Sequence, residues 1–428
     1  MNILRFGIEN YGCFRDYTEI SFVSTSQKDE PSYRIHSSNV DLSYGILPVV
    51  GVFGPNASGK SSLLESLHSF RNHVKFSFQL DPDDNIPWTP WRLNKSPNAK
   101  PTTYCMDFIF NGSRYQYGFT HDSKQFHKEW LHRWPKGKIQ TLFERDTQED
   151  NPWYFGPSLK GEKVSISSNT GPNSLFLSAA AHNNHKELLA IHGILSNSIR
   201  KTSEIELSGY PLFKENDPIL DPDNEELVNE LLGAFDLGAV GFRPEEVPPM
   251  GLLPKALAEI LKPDALESLA GKSDDESKFY RLILEREDEE GHKWSLPPYS
   301  ESRGTNILLM RINDLLCLDG GILIIDEIDT SLHQEMCFAI LDQFTNEATN
   351  KAHIQMLFST HSVNLMSHLR RDEVVLVEKD LSGTSSVTCL ADFKGIRSRD
   401  KLRDLYEDGR LGGVPIISTI HGLLKNNV

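Results

Sequence analysis

Alternating apolar and polar positions at the start of the chain predict two half-buried strands. Residues 2–8 (NILRFGI) and 17–23 (YTEISFV) follow this period of two, and the glycine-containing stretch between them is expected to turn. Residues 46–53 (ILPVVGVF) form an almost continuous apolar run, which is typical of a strand covered on both faces. The first fifty residues therefore indicate sheet structure.

Further strands are predicted in the aromatic-rich segment that follows. Residues 104–110 (YCMDFIF) and 114–120 (RYQYGFT) flank the short turn NGS, a pattern that indicates a β-hairpin. Residues 126–131 and 140–145 show the same apolar character and are expected to extend that sheet.

From about residue 174 the apolar positions recur at the spacing of a helix. Residues 173–199 have this character, and in residues 224–235 four apolar side chains share one stripe. Breaks that contain proline and glycine divide the region, and FRPEEVPPMG (242–251) is predicted to be a flexible connector. Short helices and strands alternate again from residue 304. We therefore predict an N-terminal lobe over 1–173, a mainly helical insertion over 174–299 and a C-terminal lobe over 300–428.

Composition narrows the class of protein. The 428 residues are 38% hydrophobic, enough for a sizeable core, and carry a formal charge of −16. Such an acidic surface disfavours uniform coating of nucleic acid, although it leaves room for a local basic patch. Five scattered cysteines without a C-x-x-C pair fit a reducing compartment. No basic leader or run of roughly eighteen apolar residues is present, so we expect a cytoplasmic protein with no membrane segment.

Residues 54–61 (GPNASGKS) match the phosphate-loop pattern G-x-x-x-x-G-K-[ST] in full, between an apolar strand and a predicted helix. Backbone N–H groups and the helix N-terminus form an anion cradle in this setting. Lys60 is expected to reach the β- and γ-phosphates of ATP, and the Ser61 hydroxyl to ligate Mg²⁺. The nucleotide-binding residues predicted for this loop are Gly54, Pro55, Asn56, Ala57, Ser58, Gly59, Lys60, Ser61 and Ser62.

An acidic pair follows a second apolar strand. Residues 321–325 are predicted to be buried, with Asp326 and Glu327 at the carboxyl edge, where Asp326 can hold Mg²⁺. Since successive strand side chains alternate, Glu327 is expected to point elsewhere and to deprotonate the attacking water. A third apolar strand ends just before His361, which should contact the γ-phosphate from the same edge. The alternative is that the acidic pair caps a helix and His361 is an ordinary surface residue.

A small-residue cluster precedes the predicted helix over 306–318. Ser302 and Gly304 lie at its N-terminus, where N–H groups and the helix dipole favour an anion. Each chain already has a phosphate loop for its own nucleotide, so a second anion cradle in the same chain would be redundant. It has a use if two chains pair head to tail and each caps the ATP held by the other. The alternative is an ordinary N-cap.

The order of these motifs resembles the heads of ABC-type ATPases, which include SMC and DNA-repair ATPases. In that resemblance SESRGT replaces the signature motif, and Asp329 to Leu332 occupy the D-loop, with Asp329 and Ser331 as nucleotide-site residues. The resemblance implies an α/β ABC-type P-loop head with a mixed sheet, flanking helices, an antiparallel β subdomain and a helical insertion. The lobes 1–173 and 300–428 would then be the two ATPase lobes.

A closer resemblance rests on the stretches LRFGIENYGCFRDYTEISF, ESRGT, DEIDTSLH, FSTHSVNLM and LYEDGRLGGVP. They are similar to the AAA-15/AAA-21 group, which includes OLD-like proteins, the abortive-infection ATPases AbiLi and RloA, and the ATPase of the PARIS anti-phage system. The resemblance implies a homo-oligomeric ATPase of bacterial anti-phage defence that answers a phage trigger protein and controls an effector, often a Toprim-type nuclease. Only residues 362–428 follow His361, which is short for a complete Toprim domain. We therefore expect the effector to be a separate polypeptide.

Three positions are left open at this stage. Gln79 is the nearest candidate for a glutamine loop, but its setting differs from the usual one. Phe14 and Arg15 occupy the place where related heads contact the base or ribose, although a simple turn is the other interpretation.

Other functions must be weighed against the defence ATPase. A DNA-repair or DNA-processing SMC-like ATPase is the main alternative, but it would need a basic channel, and the sequence shows no heptads for a coiled coil. A transporter's nucleotide-binding subunit and a self-contained nuclease are weaker alternatives. Nucleic-acid binding is thus left undecided by the sequence.

Overall fold

The computed structural model describes residues 1–26, 32–37, 40, 42–93, 100–202, 210–235, 237–247, 278–296, 298–393, 395 and 401–412. The chain separates into two compact units. Unit 1 is Met1–Lys201, Gly320–Asp329 and Cys337–Val428, and unit 2 is Thr202–Asp319 and Thr330–Met336. The predicted boundary at 173/174 lies inside unit 1 and the one at 299/300 lies inside unit 2.

Unit 1 contains an antiparallel sheet of seven strands in the order β2-β1-β4-β5-β6-β7-β8. The predicted hairpin is present, and left-handed backbone at Asn111 and Gly112 makes its two-residue turn. One face of the sheet packs aromatic side chains against the first long helix. Its strands are β1 (Asn2–Glu9), β2 (Thr18–Ser21), β4 (Thr102–Phe110), β5 (Ser113–His121), β6 (Phe126–Trp134), β7 (Gln140–Asp146) and β8 (Trp153–Phe155).

The second sheet of unit 1 is parallel except at one edge. Its order is β17-β16-β3-β15-β14-β9, in which only β16 and β17 pair antiparallel. Every residue of β3 is buried, as the apolar run predicted. The strands are β3 (Val49–Phe53), β9 (Ile199–Lys201), β14 (Ile322–Ile325), β15 (Gln355–Ser359), β16 (Val374–Lys379) and β17 (Ser385–Cys389). The predicted fold class, a mixed sheet with an antiparallel β subdomain, is confirmed.

Helices cover these sheets. Phe70 of α1 stacks on Phe119 with ring centroids 5.5 Å apart, so α1 fixes the antiparallel sheet against the parallel one. The helices are α1 (Lys60–Phe76), α2 (Val164–Ser168), α3 (Phe176–His182), α4 (Lys186–Asn197), α7 (Gln334–Thr345) and α8 (Leu402–Glu407). Short 3-10 turns occupy Ser77–Gln79, Pro135–Gly137, Val363–His368, Arg371–Glu373 and Leu390–Asp392. The described helices offer no candidate for a membrane-spanning segment.

Unit 2 combines helices with a small antiparallel sheet. Strand β12 lies centrally, and the other three strands pair with it. The elements are β10 (Phe213–Lys214), α5 (Glu225–Ala234), β11 (Gly241–Val247), β12 (Phe279–Glu287), β13 (Lys293–Ser295) and α6 (Arg303–Leu316), with 3-10 turns at Pro218–Leu220, Pro222–Asn224 and Pro298–Ser300. The described part of the predicted helical insertion therefore contains strands as well as helices.

The prediction of a flexible connector over 242–251 was wrong for its first six residues. They belong to β11, which pairs with β12 along its whole length. Pro244 lacks an N–H donor but is tolerated because β11 ends the described sheet, so one side of the strand needs no ladder bond. Residues 248–251 lie outside the described residues.

Candidate functional site

The phosphate loop follows the central strand β3 and has a left-handed path. Gly54 has φ 149° and Gly59 has φ 118°, both outside the range that side chains favour. A Cβ on Gly54 would overlap the Val377 carbonyl oxygen, and one on Gly59 would lie 2.5 Å from the Cys13 Sγ. Both positions therefore require glycine, because Val377 and Cys13 pack directly against the loop.

Lys60 opens helix α1 directly after the loop. Its side chain is almost fully buried, and Nζ donates to the carbonyl oxygens of Gly54 (2.9 Å) and Pro55 (3.1 Å). Burial lowers the pKa of Lys60, while the nearby carboxylates of Asp326 and Glu327 oppose that shift. The ammonium group is thus bonded to the loop carbonyls and lies close enough to the acidic pair to feel its charge.

Strand pairing brings three motifs to one sheet edge. Strand β15 lies between β3 and β14, all parallel, with Val52 opposite Ser359 and Ile325 opposite Phe358. Because parallel strands present their carboxyl ends at the same edge, the phosphate loop, the acidic pair and His361 meet there. The predicted convergence of these residues is what the backbone shows.

Ser359 ties the acidic pair to the neighbouring strand. Its Oγ accepts the backbone N–H of Glu327 at 2.8 Å and donates to Oδ1 of Asp326. The sequence analysis did not select this residue, although a small hydroxyl residue at the end of an apolar strand was a usable signal. Ser359 therefore fixes the carboxylate of Asp326 and the backbone of Glu327.

Glu327 and His361 face each other at the edge. Oε1 of Glu327 lies 3.8 Å from Nε2 of His361, and both side chains are about half exposed. Strand β14 ends at Ile325, and Glu327 has left-handed backbone (φ 49°). Glu327 therefore lies in a turn beyond the strand, and the predicted reason for its direction, alternation along a strand, was wrong.

Asp329, the first residue of the predicted D-loop, is bonded to the loop that carries His361. Its Oδ1 accepts from the Thr360 hydroxyl at 2.7 Å and from the His361 backbone N–H at 3.4 Å. Asp329 is thus an intrachain brace for His361, a role that spacing alone did not indicate.

The second predicted cradle lies in unit 2, together with Ser331. Ser302 is the N-cap of α6, since its Oγ accepts the Thr305 N–H at 3.0 Å and lies 2.9 Å from the Thr305 hydroxyl. A Cβ on Gly304 would lie 2.6 Å from the Ser331 carbonyl oxygen. The N-cap interpretation therefore holds for the Ser302 hydroxyl, and its contact with a nucleotide stays a prediction.

The residues predicted to hold Mg²⁺ offer hard oxygen donors. Ser61 is exposed in the first turn of α1, and Asp326 is half-buried at the strand end with Ser359 on one oxygen. Such an oxygen set suits Mg²⁺, which takes few protein ligands and completes its shell with water and phosphate oxygens. Within the described ranges, no group of three His, Cys, Asp or Glu residues could hold a metal ion alone.

The structure shows the surroundings of the three positions that the sequence left open. Gln79 follows the far end of α1, about 25 Å along the helix from the phosphate loop. The Phe14 ring is fully buried against Gly59, in a turn closed by Tyr11, so it is a packing residue. Arg15 pairs with Asp16 at 2.9 Å.

Comparison with known proteins identifies the domain. Residues 49–367 match the family AAA_21, described as "AAA domain, putative AbiEii toxin, Type IV TA system". No curated protein sequence is similar enough to count as a match. Among solved structures, the SMC head domain from Thermotoga maritima is 14% identical with a TM-score of 0.38, covering 91% of this chain and 99% of that one. The Smc head domain bound to the C-terminal domain of ScpA from Pyrococcus furiosus is 10% identical with a TM-score of 0.35, covering 96% and 99%.

Proposed function

Because this chain belongs to the AAA_21 family of AAA ATPase domains, we propose that it hydrolyses ATP at the edge of its parallel sheet and acts as an ATP-gated switch in anti-phage defence. One observation supports the hydrolytic step most directly. Glu327 faces His361 at 3.8 Å beside an acidic residue, Asp326, whose carboxylate is fixed by Ser359. A phosphate loop and a positioned carboxylate at one edge are the parts that phosphoryl transfer to water requires.

The loop residues and Lys60 would bind the triphosphate. Lys60 lies between the loop carbonyls and the acidic pair, so it can exchange its contacts with Gly54 and Pro55 for phosphate oxygens. Ser61 and Asp326 would hold Mg²⁺, which neutralises phosphate charge when bound. Helix α1 adds its N-terminal dipole to the same site.

Glu327 would act as the general base toward the attacking water. Its carboxylate is half exposed at the mouth of the site, where a water molecule can reach it. His361 is held by the Asp329 brace and would sense the γ-phosphate. Slow turnover is expected of a switch of this kind.

A head-to-tail dimer would complete the site. Ser302 and Gly304 of one chain would cap the γ-phosphate held by the other, with Asp329 and Ser331 at the same interface. The exposed Ser302 at the start of a fourteen-residue helix supports this arrangement, because the helix N-terminus favours an anion. Larger homo-oligomers would be built from such pairs.

The family description supports the proposed cellular role. Its description names a putative AbiEii toxin and a type IV TA system, which supports a place in bacterial defence. We propose that a phage trigger protein shifts the ATP-bound assembly and releases a separate effector, such as a Toprim-type nuclease. The narrower assignment to the PARIS system stays a prediction.

Phosphate release by the purified chain tests the enzymatic part. Glu327→Gln should abolish release while ATP still binds, and should accumulate an ATP-bound dimer on gel filtration. Glu335→Gln is the matched control, since Glu335 is an exposed residue in the first turn of α7. Full activity of Glu327→Gln would remove Glu327 from the reaction. For the cellular part, undiminished protection from phage by a Lys60→Ala variant, expressed with its neighbouring genes, would contradict the switch.

A further inference from the structure

Basic side chains gather on one face of unit 1, formed by α1, α4 and β9. Positions 68, 71 and 75 are spaced i, i+3 and i+7, so they share one face of α1. The Arg71 Nε donates to the Ser196 carbonyl of α4 at 2.8 Å, and Lys201 of β9 pairs with Glu65 of α1 at 2.7 Å. We name this group the basic stripe: His68, Arg71 and Lys75 on α1, His192 on α4, and Arg200 and Lys201 on β9.

The members of the basic stripe are close enough to affect one another. The pKa of Arg71 is lowered by burial and further by Arg200, and the pKa of Lys75 is lowered by burial and by Arg71. Burial also lowers the pKa of His192, and the charge of Lys75 adds to that shift. Mutual repulsion of this kind marks a concentration of positive charge.

Arg71 and Lys75 are the two cations of the stripe that the described carboxylates leave unpaired, although the whole protein carries −16. Lys201 has Glu65 as its partner, but no described carboxylate lies within ion-pair distance of Arg71 or Lys75. Arg71 donates instead to neutral oxygens, the Ser196 carbonyl and Asn72 Oδ1. Two basic side chains of an acidic protein are therefore not offset by a described carboxylate, so this face would attract a polyanion.

An aromatic ring lies beside these two cations. Phe76, the last residue of α1, is 40% exposed, with Lys75 Nζ 5.4 Å and Arg71 Cζ 5.8 Å from its ring centroid. Cations beside an exposed ring are the combination that holds single strands, because phosphates take the charges and a base stacks on the ring. An acidic peptide would use the charges but has no need of the ring.

We propose that the basic stripe binds single-stranded nucleic acid, with phosphates on Arg71 and Lys75 and a base on Phe76. This site lies at the end of α1 opposite the phosphate loop, about 25 Å along the helix. Nucleic-acid binding at this site would be a second binding function of the protein, and the proposal does not depend on the ATPase proposal.

Fluorescence anisotropy of the full-length protein with a labelled oligothymidylate, over a salt series, tests this site. Wild type should bind with a log–log salt slope of about −1.4, for two phosphate contacts on a single strand. Lys75→Glu should weaken binding and make the slope shallower by about 0.7. Phe76→Ala should lose about tenfold in affinity with the slope unchanged. Arg71 is left intact because it also holds α4 through Ser196.

Lys160→Glu is the matched charge reversal, since Lys160 is an exposed lysine outside the basic stripe and should bind as wild type does. A lack of salt-dependent binding by wild type would overturn the proposal. So would equal affinities of Lys75→Glu and Lys160→Glu, or competition by polyglutamate as effective as that by unlabelled oligonucleotide. Lys60→Ala should bind the oligonucleotide normally, which separates this result from any failure of the ATPase proposal.

Discussion

The backbone of Ser331 occupies the space that a side chain at Gly304 would need. The Ser331 carbonyl oxygen lies 2.6 Å from the Cβ position of Gly304, and Ser331 itself has left-handed backbone (φ 60°). The turn that carries Gly304 is therefore packed backbone to backbone against Ser331 within unit 2. Small size at position 304 is required by this contact, whether or not a phosphate approaches as well.

Gly304→Ala should destabilise the protein by about 1–3 kcal/mol, because the methyl group must displace the Ser331 carbonyl. Urea unfolding measures the change. Gly233→Ala is the control in the same unit, since nothing lies within 4 Å of its Cβ position in α5, and it should be neutral or stabilising by up to about 1 kcal/mol. Equal stability of the two variants would refute the packing argument.

Ser302→Asp separates the two roles of Ser302. Asp is as good an N-cap as Ser, so stability should stay within about 0.5 kcal/mol of wild type, whereas Ser302→Ala should lose about 1 kcal/mol. If Ser302 also faces the neighbour's triphosphate, the added negative charge of Ser302→Asp should stop ATP hydrolysis. Normal phosphate release by this variant would show that Ser302 serves only as the N-cap of α6 and does not contact the triphosphate.

Ser359→Ala should lower the rate of ATP hydrolysis at least about tenfold. The variant loses the hydroxyl that holds the Asp326 carboxylate and the Glu327 backbone N–H, and leaving such groups without their partner costs about 1–3 kcal/mol. ATP binding by the phosphate loop should change little. Thr360→Ser keeps a hydroxyl at the next position and is the control. Unchanged kcat in Ser359→Ala would show that the acidic pair needs no such support.

Protein stability should fall as the pH drops from 7 to 5, partly through His121. Burial lowers the pKa of His121 to about 4, against about 6.5 in the unfolded chain, so between these values the unfolded state binds a proton that the native state does not. Stability therefore rises with pH across this window. Wild type should lose about 2 kcal/mol more than His121→Gln between pH 7 and 5. Parallel curves from urea unfolding would disagree with this assignment.

The sequence predicted the parts of the site that depend on local pattern. The phosphate loop, the acidic pair and His361 each follow an apolar strand, and parallel pairing alone then brings them to one edge. The hydroxyl at the end of β15 was a usable signal for Ser359, but its two partners could not be predicted, because they depend on the register between β14 and β15. The role of Gly304 depends likewise on a contact with a residue that is distant in sequence.

The less regular region was harder to predict. Three prolines made the segment 242–251 look like a connector, yet pairing with β12 makes its first part an edge strand. The basic stripe was hidden because its residues come from three elements and the net charge of −16 masks them. Charge summed over a chain does not indicate where the charges lie.

Mixing two inactive variants tests most directly whether the ATP site is shared between chains. Lys60→Ala removes the lysine of the phosphate loop. Ser302→Asp keeps the helix N-cap but places a negative charge where each chain would contact the γ-phosphate held by its neighbour. In a mixed oligomer one of the two sites would have an intact Lys60 and an intact Ser302 from different chains. We predict that mixing restores part of the phosphate release that each variant lacks alone. No recovery, in samples where mass spectrometry confirms mixed oligomers, would contradict the shared site.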